Sequence, residues 1–246
     1  MQYKEDTMIH NSSNFIFNAT DWITYNHFSC DDQIFAEIIY RGGRFVNSST
    51  SENETLLDMR TKNSSNGYSR INVDYSNSSP LPNNKKIVLL LESPSNDEYN
   101  ANGILGNTAP CWGATGENIK KNLLAIMNSE FNLTVMRDFL NKITVGEKID
   151  LYAVNAIRYQ CDLGNPGGGK NTRNIFYKMW SKAGFKEDLF ERLRIILPDL
   201  IINCCTKMIS QQVKLSQELK KVFSDKVLEC SHHPCVWLEP SKVKLS

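Results

Sequence analysis

The sequence predicts an α/β protein: a three-layer αβα domain on a central, mainly parallel four-stranded sheet, preceded by an N-terminal extension. Four short runs rich in branched apolar residues, at 86–91, 150–157, 198–205 and 226–230, are each bounded by polar or turn residues. Such runs, apolar without alternation, read as strands buried on both faces. The stretches between them carry helical patterning, and strands alternating with helical connections imply a parallel sheet covered on both sides. The division that follows is an extension and linker over 1–84 and the α/β domain over 85–246.

The extension is mixed in character. Residues 14–17 and 21–28 are rich in aromatics, and 33–40 reads equally well as a strand or as a short helix ending at Arg41-Gly42-Gly43-Arg44. From 47 to 82 Ser and Asn dominate, closing on Pro80 and Pro82. That composition reads as irregular structure and a linker, with a hairpin as the alternative.

The first strand of the domain, 86–91, is followed by Glu92, Ser93 and Pro94, and a turn-rich loop places Glu92, Asp97 and Glu98 just past its carboxyl end. A long loop at 103–116 holds Cys111-Trp112-Gly113, and helices are expected over 116–124 and 135–143. The second strand, 150–157, carries Asn155 near its end. A glycine-rich loop at 164–170 leads into a helical stretch over 172–197. The third strand, 198–205, precedes a helix over 206–223, and the fourth, 226–230, runs into Ser231-His232-His233-Pro234-Cys235-Val236-Trp237.

Composition bounds the functional classes. A chain of 246 residues with 41% hydrophobic content can bury one substantial core. No apolar run reaches the length of a membrane span, and residues 1–6 lack the basic start and apolar core of a signal peptide. A soluble, cytoplasmic protein is therefore expected; a monomer is the default expectation. Seven cysteines without a C-x-x-C pair argue against a disulfide framework and against a zinc site of cysteine pairs. The net charge of +1 conceals an asymmetry: 7 basic and 10 acidic residues up to position 85, then 21 and 17. The later part is thus mildly basic, compatible with a polyanionic partner.

In open α/β sheets ligands bind in the crevice outside the carboxyl ends of the strands. Glu92, Asp97 and Glu98, with Asn155, His232 and His233, are candidates by that position. Each also has a bland role: an acid after a strand pairs with a helix N-terminus, an asparagine caps a strand end, and a loop histidine bonds main chain. A rival motif is the loop Gly164-Asn165-Pro166-Gly167-Gly168-Gly169-Lys170, which follows a strand and precedes a helix as a phosphate-binding P-loop does. Asn171 stands where the magnesium-holding Ser or Thr belongs, and Thr172 comes one place late. Nucleotide hydrolysis is kept as an alternative. Alternatively the amides of Gly168 and Gly169, beside Lys170, grip DNA phosphates.

Taken together, the acidic loop after the first strand, Val154-Asn155-Ala156-Ile157 after the second and the His-Pro loop after the fourth resemble the uracil-DNA glycosylase superfamily. The likeness covers roughly 86–238, and Leu91-Glu92-Ser93-Pro94-Ser95 looks most like the Gly-Glu-Ala-Pro-Gly-type loop of one branch. Both glycines of that loop are replaced here, by Leu91 and Ser95, and the aspartate of the best-known branch falls on Ser93. The iron-sulfur branch uses four cysteines that cannot be placed in this chain, Cys161 being offset, so neither a cluster nor any other cofactor or metal is expected.

The resemblance implies excision of a flipped uracil or modified pyrimidine from single- or double-stranded DNA, by hydrolysis of its N-glycosidic bond. Such a base is read along its hydrogen-bonding edge in a pocket. Asn155 would read it, offering a donor and an acceptor at once. His233, with His232 as the alternative, would donate to the base oxygen as it gains charge. Glu92 would orient water or balance the sugar cation, with Asp97 second. Trp112 would stack on the base or plug the core, Ser93 would line the pocket, and Val236 and Trp237 would wedge the gap in the DNA. A non-catalytic nucleic-acid binder of the same fold is the remaining alternative.

Overall fold

A computed structural model describes residues 30–48, 56–60, 70–76, 81–94, 98, 110–159, 176, 179–181, 184–205 and 215–246. The run of five apolar residues from Ile87 forms the inner part of β4 (Lys85–Leu91), and β5 (Lys148–Asn155), β6 (Leu200–Asn203) and β7 (Val227–Glu229) lie parallel to it and to one another. Every residue from Ile87 to Leu91 is buried because both faces of the strand are covered.

The sheet is nevertheless mixed, with seven strands among the described residues in place of the four expected. Three come from residues assigned above to the extension: β1 (Gln33–Tyr40), β2 (Phe45–Asn47) and β3 (Ile71–Asn72). Strand order is β2-β1-β5-β4-β6-β7, with β3 also on β1. β1 runs antiparallel to β5, from Gln33 opposite Ala153 to Ile39 opposite Lys148, and buries Phe35, Ala36 and Ile38 in the common core. The strand-or-helix ambiguity over 33–40 is settled by the turn that follows it. Gly42 and Gly43, at φ 68° and 95°, let Arg41 N–H reach Arg44 O at 2.9 Å, and left-handed central residues match the twist of a hairpin.

Alternation along the strands sorts the core into two layers. Ile87, Leu89, Leu91, Leu151 and Ala153 face α1 (Gly113–Ser129) and α2 (Thr134–Leu140). Val88, Leu90, Tyr152 and Val154 face α3 (Phe185–Ile196) and α4 (Leu215–Phe223). The helical stretch expected over 172–197 is divided at Gly184, with Phe176, Met179 and Trp180 helical before it and α3 after it. Gly184, at φ 104°, forms its N-cap, and its N–H donates to Glu187 Oε2 at 3.0 Å.

One buried acid is held in β5 at a cost. Burial pushes the Asp150 carboxyl above its ordinary pKa, although Arg60 at 3.7 Å pulls the other way. A raised pKa means that the folded state holds this proton more tightly than the unfolded chain does. Stability from this group is therefore full at low pH and is lost as pH rises through the folded value. Asp150→Asn should raise the melting temperature at neutral pH by roughly 2–4 °C if the relief is worth ~1 kcal/mol. It should do so less at acid pH, which thermal melts across a pH series would check.

Candidate functional site at the carboxyl rim of the sheet

The four parallel strands end at one rim. There β5 delivers Asn155 opposite Leu91 of β4, and pairing continues one step further, with Ala156 N–H on Leu91 O at 2.8 Å and Ile157 N–H on Glu92 O at 3.0 Å. Glu92 and Asn155 are thereby brought to adjacent strand ends. Asn155 shares register with Leu91, and alternation with Leu151 and Ala153 places it on the α1 face.

Its side chain is unusual. Asn155 is 0% exposed, and neither its Nδ2 nor its Oδ1 has a hydrogen-bond partner among the described residues. A buried orphaned amide costs about 1–3 kcal/mol, and such exceptions require an explanation in each case. The main chain of the same residue is, by contrast, gripped on both sides. Its N–H donates to Asp32 Oδ1 at 3.4 Å and its carbonyl accepts from Arg192 Nη2 at 3.1 Å. Arg192 is itself 3% exposed and completes a buried frame, with Asp32 Oδ2 at 2.5 Å, Asp188 Oδ2 at 2.8 Å and Ala156 O at 3.4 Å. Tyr75 donates its hydroxyl to Asp32 at 2.6 Å. Burial alone would lower the pKa of Arg192, but Asp32 and Asp188 outweigh it and hold the guanidinium charged.

Trp112 stands at the N-cap of α1. The Arg70 guanidinium lies 5.5 Å from its ring centroid, at cation–π distance, and bonds Arg60 O, Gln33 Oε1, Pro110 O and Cys111 O. Cys111 has a left-handed φ of 58°, and its N–H donates to Glu98 Oε1 at 2.7 Å, so the third acid of the first loop is a buried fastener of this turn. Gly116 is required here by space, since a Cβ would lie 2.1 Å from Cys111 O. A cavity of about 270 Å³ opens beside the turn, lined by Met59, Arg60, Arg70, Trp112 and Lys120.

The His-Pro loop follows β7, two strands from β4 along the same rim. His233 caps a 3₁₀ turn at Pro234–Val236, its Nδ1 accepting from Cys235 N–H at 3.3 Å. In the neutral ring the proton is then on Nε2. His232 instead places Nδ1 2.7 Å from Ser231 Oγ. Two asparagines one turn apart on α1 hold the loop: Asn118 Nδ2 donates to Pro234 O and Cys235 O, both at 3.0 Å, and Asn122 Nδ2 to Trp237 O at 2.5 Å. Asn118→Ala should cost on the order of 1 kcal/mol in urea unfolding by removing these bonds.

Trp237 requires a correction. Expected at the DNA interface, it is 0% exposed, packs in the α1 layer and donates Nε1–H to His232 O at 2.9 Å. A side chain committed to the core cannot enter a base stack. Its neighbours Val236 and Leu238, 42% and 79% exposed, are the apolar side chains this loop presents to solvent. Ser93 lies half-buried in the bend after β4. Asp97, Gly168, Gly169 and Lys170, with the whole 164–170 loop and Cys161, fall outside the described residues.

Sequence reasoning missed Arg192, Asp32, Arg70, Asn118 and Asn122. Arg192 had a signal, because it lies on the apolar stripe of α3 between Leu189 and Ile196, where a charge must be paired. Asn118 and Asn122 had a weaker one, as asparagine is unfavourable inside a helix unless its side chain is employed. Among the described residues no group of three metal-ligating side chains occurs, and no helix is long and apolar enough to cross a membrane. No protein-family model, curated protein or solved structure matches this chain.

Proposed function

We propose that the chain is a DNA glycosylase that hydrolyses the N-glycosidic bond of a flipped uracil or modified pyrimidine. The observation that carries this reading is the Asn155 amide, fully buried at a strand end, with donor and acceptor both unused among the described residues. A polar group kept at such a cost is explained by a ligand that completes its bonds, and the imide edge of uracil offers one donor and one acceptor side by side.

Glu92, His233 and Trp112 are assigned the rest of the chemistry. As the bond breaks, positive charge develops on the sugar and negative charge on the departing base. Glu92, on the strand end next to Asn155, balances the sugar cation or orients the attacking water. His233, whose Nδ1 accepts from Cys235 N–H so that the neutral ring carries its proton on Nε2, donates to the base oxygen. Trp112 supplies the stacking face. A single donor of this kind is worth about 2.7–4 kcal/mol of barrier, or roughly 10²–10³ in rate.

The test is incubation with single-stranded DNA containing uracil, followed by alkali to cut at abasic sites. Wild-type protein should give scission, and Asn155→Ala and His233→Ala should each lower it by at least about 10². Asn155→Leu, close in shape to asparagine, should abolish scission while stabilising the fold by about 1–3 kcal/mol, because an orphaned amide is removed. Uracil-DNA left intact by the wild type, together with an Asn155→Leu variant no more stable than wild type, would overturn the reading.

A further inference from the structure

A polar frame lies beneath the strand end at Asn155. It buries two opposite charges, and its hydrogen bonds converge on the main chain of Asn155, whose side-chain donor and acceptor both lack a partner among the described residues. A buried ion pair is weak evidence for stability, since hydrophobic residues of similar volume often serve as well. Its retention is better explained by what it positions. Asp32 takes the N–H of Asn155, Arg192 takes the carbonyls of Asn155 and Ala156, and Tyr75 and Asp188 hold those two side chains in turn.

We infer that Arg192 and Asp32 are positioning residues that fix the backbone of Asn155 and so aim its amide at the ligand. They reach from the α3 face and from the segment before β1, whereas Asn155 shares the α1 face with Leu91. The frame therefore acts through the strand end and does not touch the ligand. A planar guanidinium can grip two successive carbonyls and two carboxylates at once, which a lysine ammonium cannot do with the same geometry. Misplacement of a reacting group by about 1 Å can cost 10²-fold in rate, so modest loosening should be visible.

The catalytic consequence rests on the glycosylase reading, but the positioning does not, and the experiment separates them. The side-chain NH₂ pair of Asn155 is assigned in ¹⁵N–¹H spectra as the pair missing from Asn155→Ala. Arg192→Lys should shift and broaden that pair while the protein stays folded by thermal melt. Tyr75→Phe, which removes one bond to Asp32 and leaves the ion pair, should do the same to a smaller extent and serves if Arg192→Lys does not fold. Arg192→Lys should also lower single-turnover scission by roughly tenfold in the wild-type background and by less than about twofold in Asn155→Ala, the non-additivity expected of residues acting through one another.

An unchanged NH₂ pair in both variants overturns the inference whatever the activity. Equal losses of scission with and without Asn155 overturn it too, since a merely structural residue behaves that way. A displaced NH₂ pair in a protein whose wild type leaves uracil-DNA intact and whose Asn155→Leu variant is no more stable supports the frame and removes the glycosylase reading alone.

Discussion

Asp32→Ala should destabilise the folded protein by about 3–5 kcal/mol, the range for breaking a buried pair by deleting one partner. The Arg192 guanidinium, 3% exposed, would keep only Asp188 and two carbonyls. The Tyr75 hydroxyl and the Asn155 N–H would lose an acceptor in the same step. Urea unfolding would read this as a fall in midpoint with an unchanged slope. The loss belongs to the orphaned charge and not to the net worth of the pair. Asp32→Leu combined with Arg192→Met should therefore recover most of the stability while leaving Asn155 without its frame. If the single deletion costs less than about 1 kcal/mol, the frame is not the buried charge cluster described here.

Trp237→Ala should be of similar size, about 3–5 kcal/mol, through the cavity left by the largest side chain among the fully buried ones. Trp237→Phe should cost far less. It keeps much of the volume and loses the bond to His232 O, a carbonyl that Cys230 Sγ also reaches at 3.1 Å. About 1 kcal/mol is expected for that bond. The alanine variant should also release the His-Pro loop, because Asn122 and Trp237 tie the far end of that loop to α1 and to the core. Faster hydrogen exchange at Cys235 and Val236, in Trp237→Ala and not in Trp237→Phe, would check it.

The four parallel strands and the helices between them were legible because burial on both faces leaves a local mark. Ile87 to Leu91 and Ile201-Ile202 are apolar regardless of what they touch. The three additional strands were not legible in the same way. Gln33–Tyr40 alternates too imperfectly to exclude a helix, and Ile71-Asn72 is a two-residue strand inside a Ser- and Asn-rich stretch. Whether such a segment joins a sheet depends on an open edge elsewhere, here that of β5, which local composition does not report.

The candidate site divides along the same line. Asn155, Glu92 and His233 could be singled out because the rim of an open sheet is implied by strand order along the chain and by where each strand stops. Sequence alone determined the residue types at that rim and the class of fold that carries them. Only the tertiary structure decided that Asn155 keeps an open amide, that Arg192 and Asp32 grip its backbone, and that Trp237 is a core residue while Val236 and Leu238 face solvent. Periodicity records which side of its own element a residue occupies. Hydrogen-bond satisfaction depends on what arrives from distant elements, and Asp32 and Arg192 lie 160 residues apart along the chain.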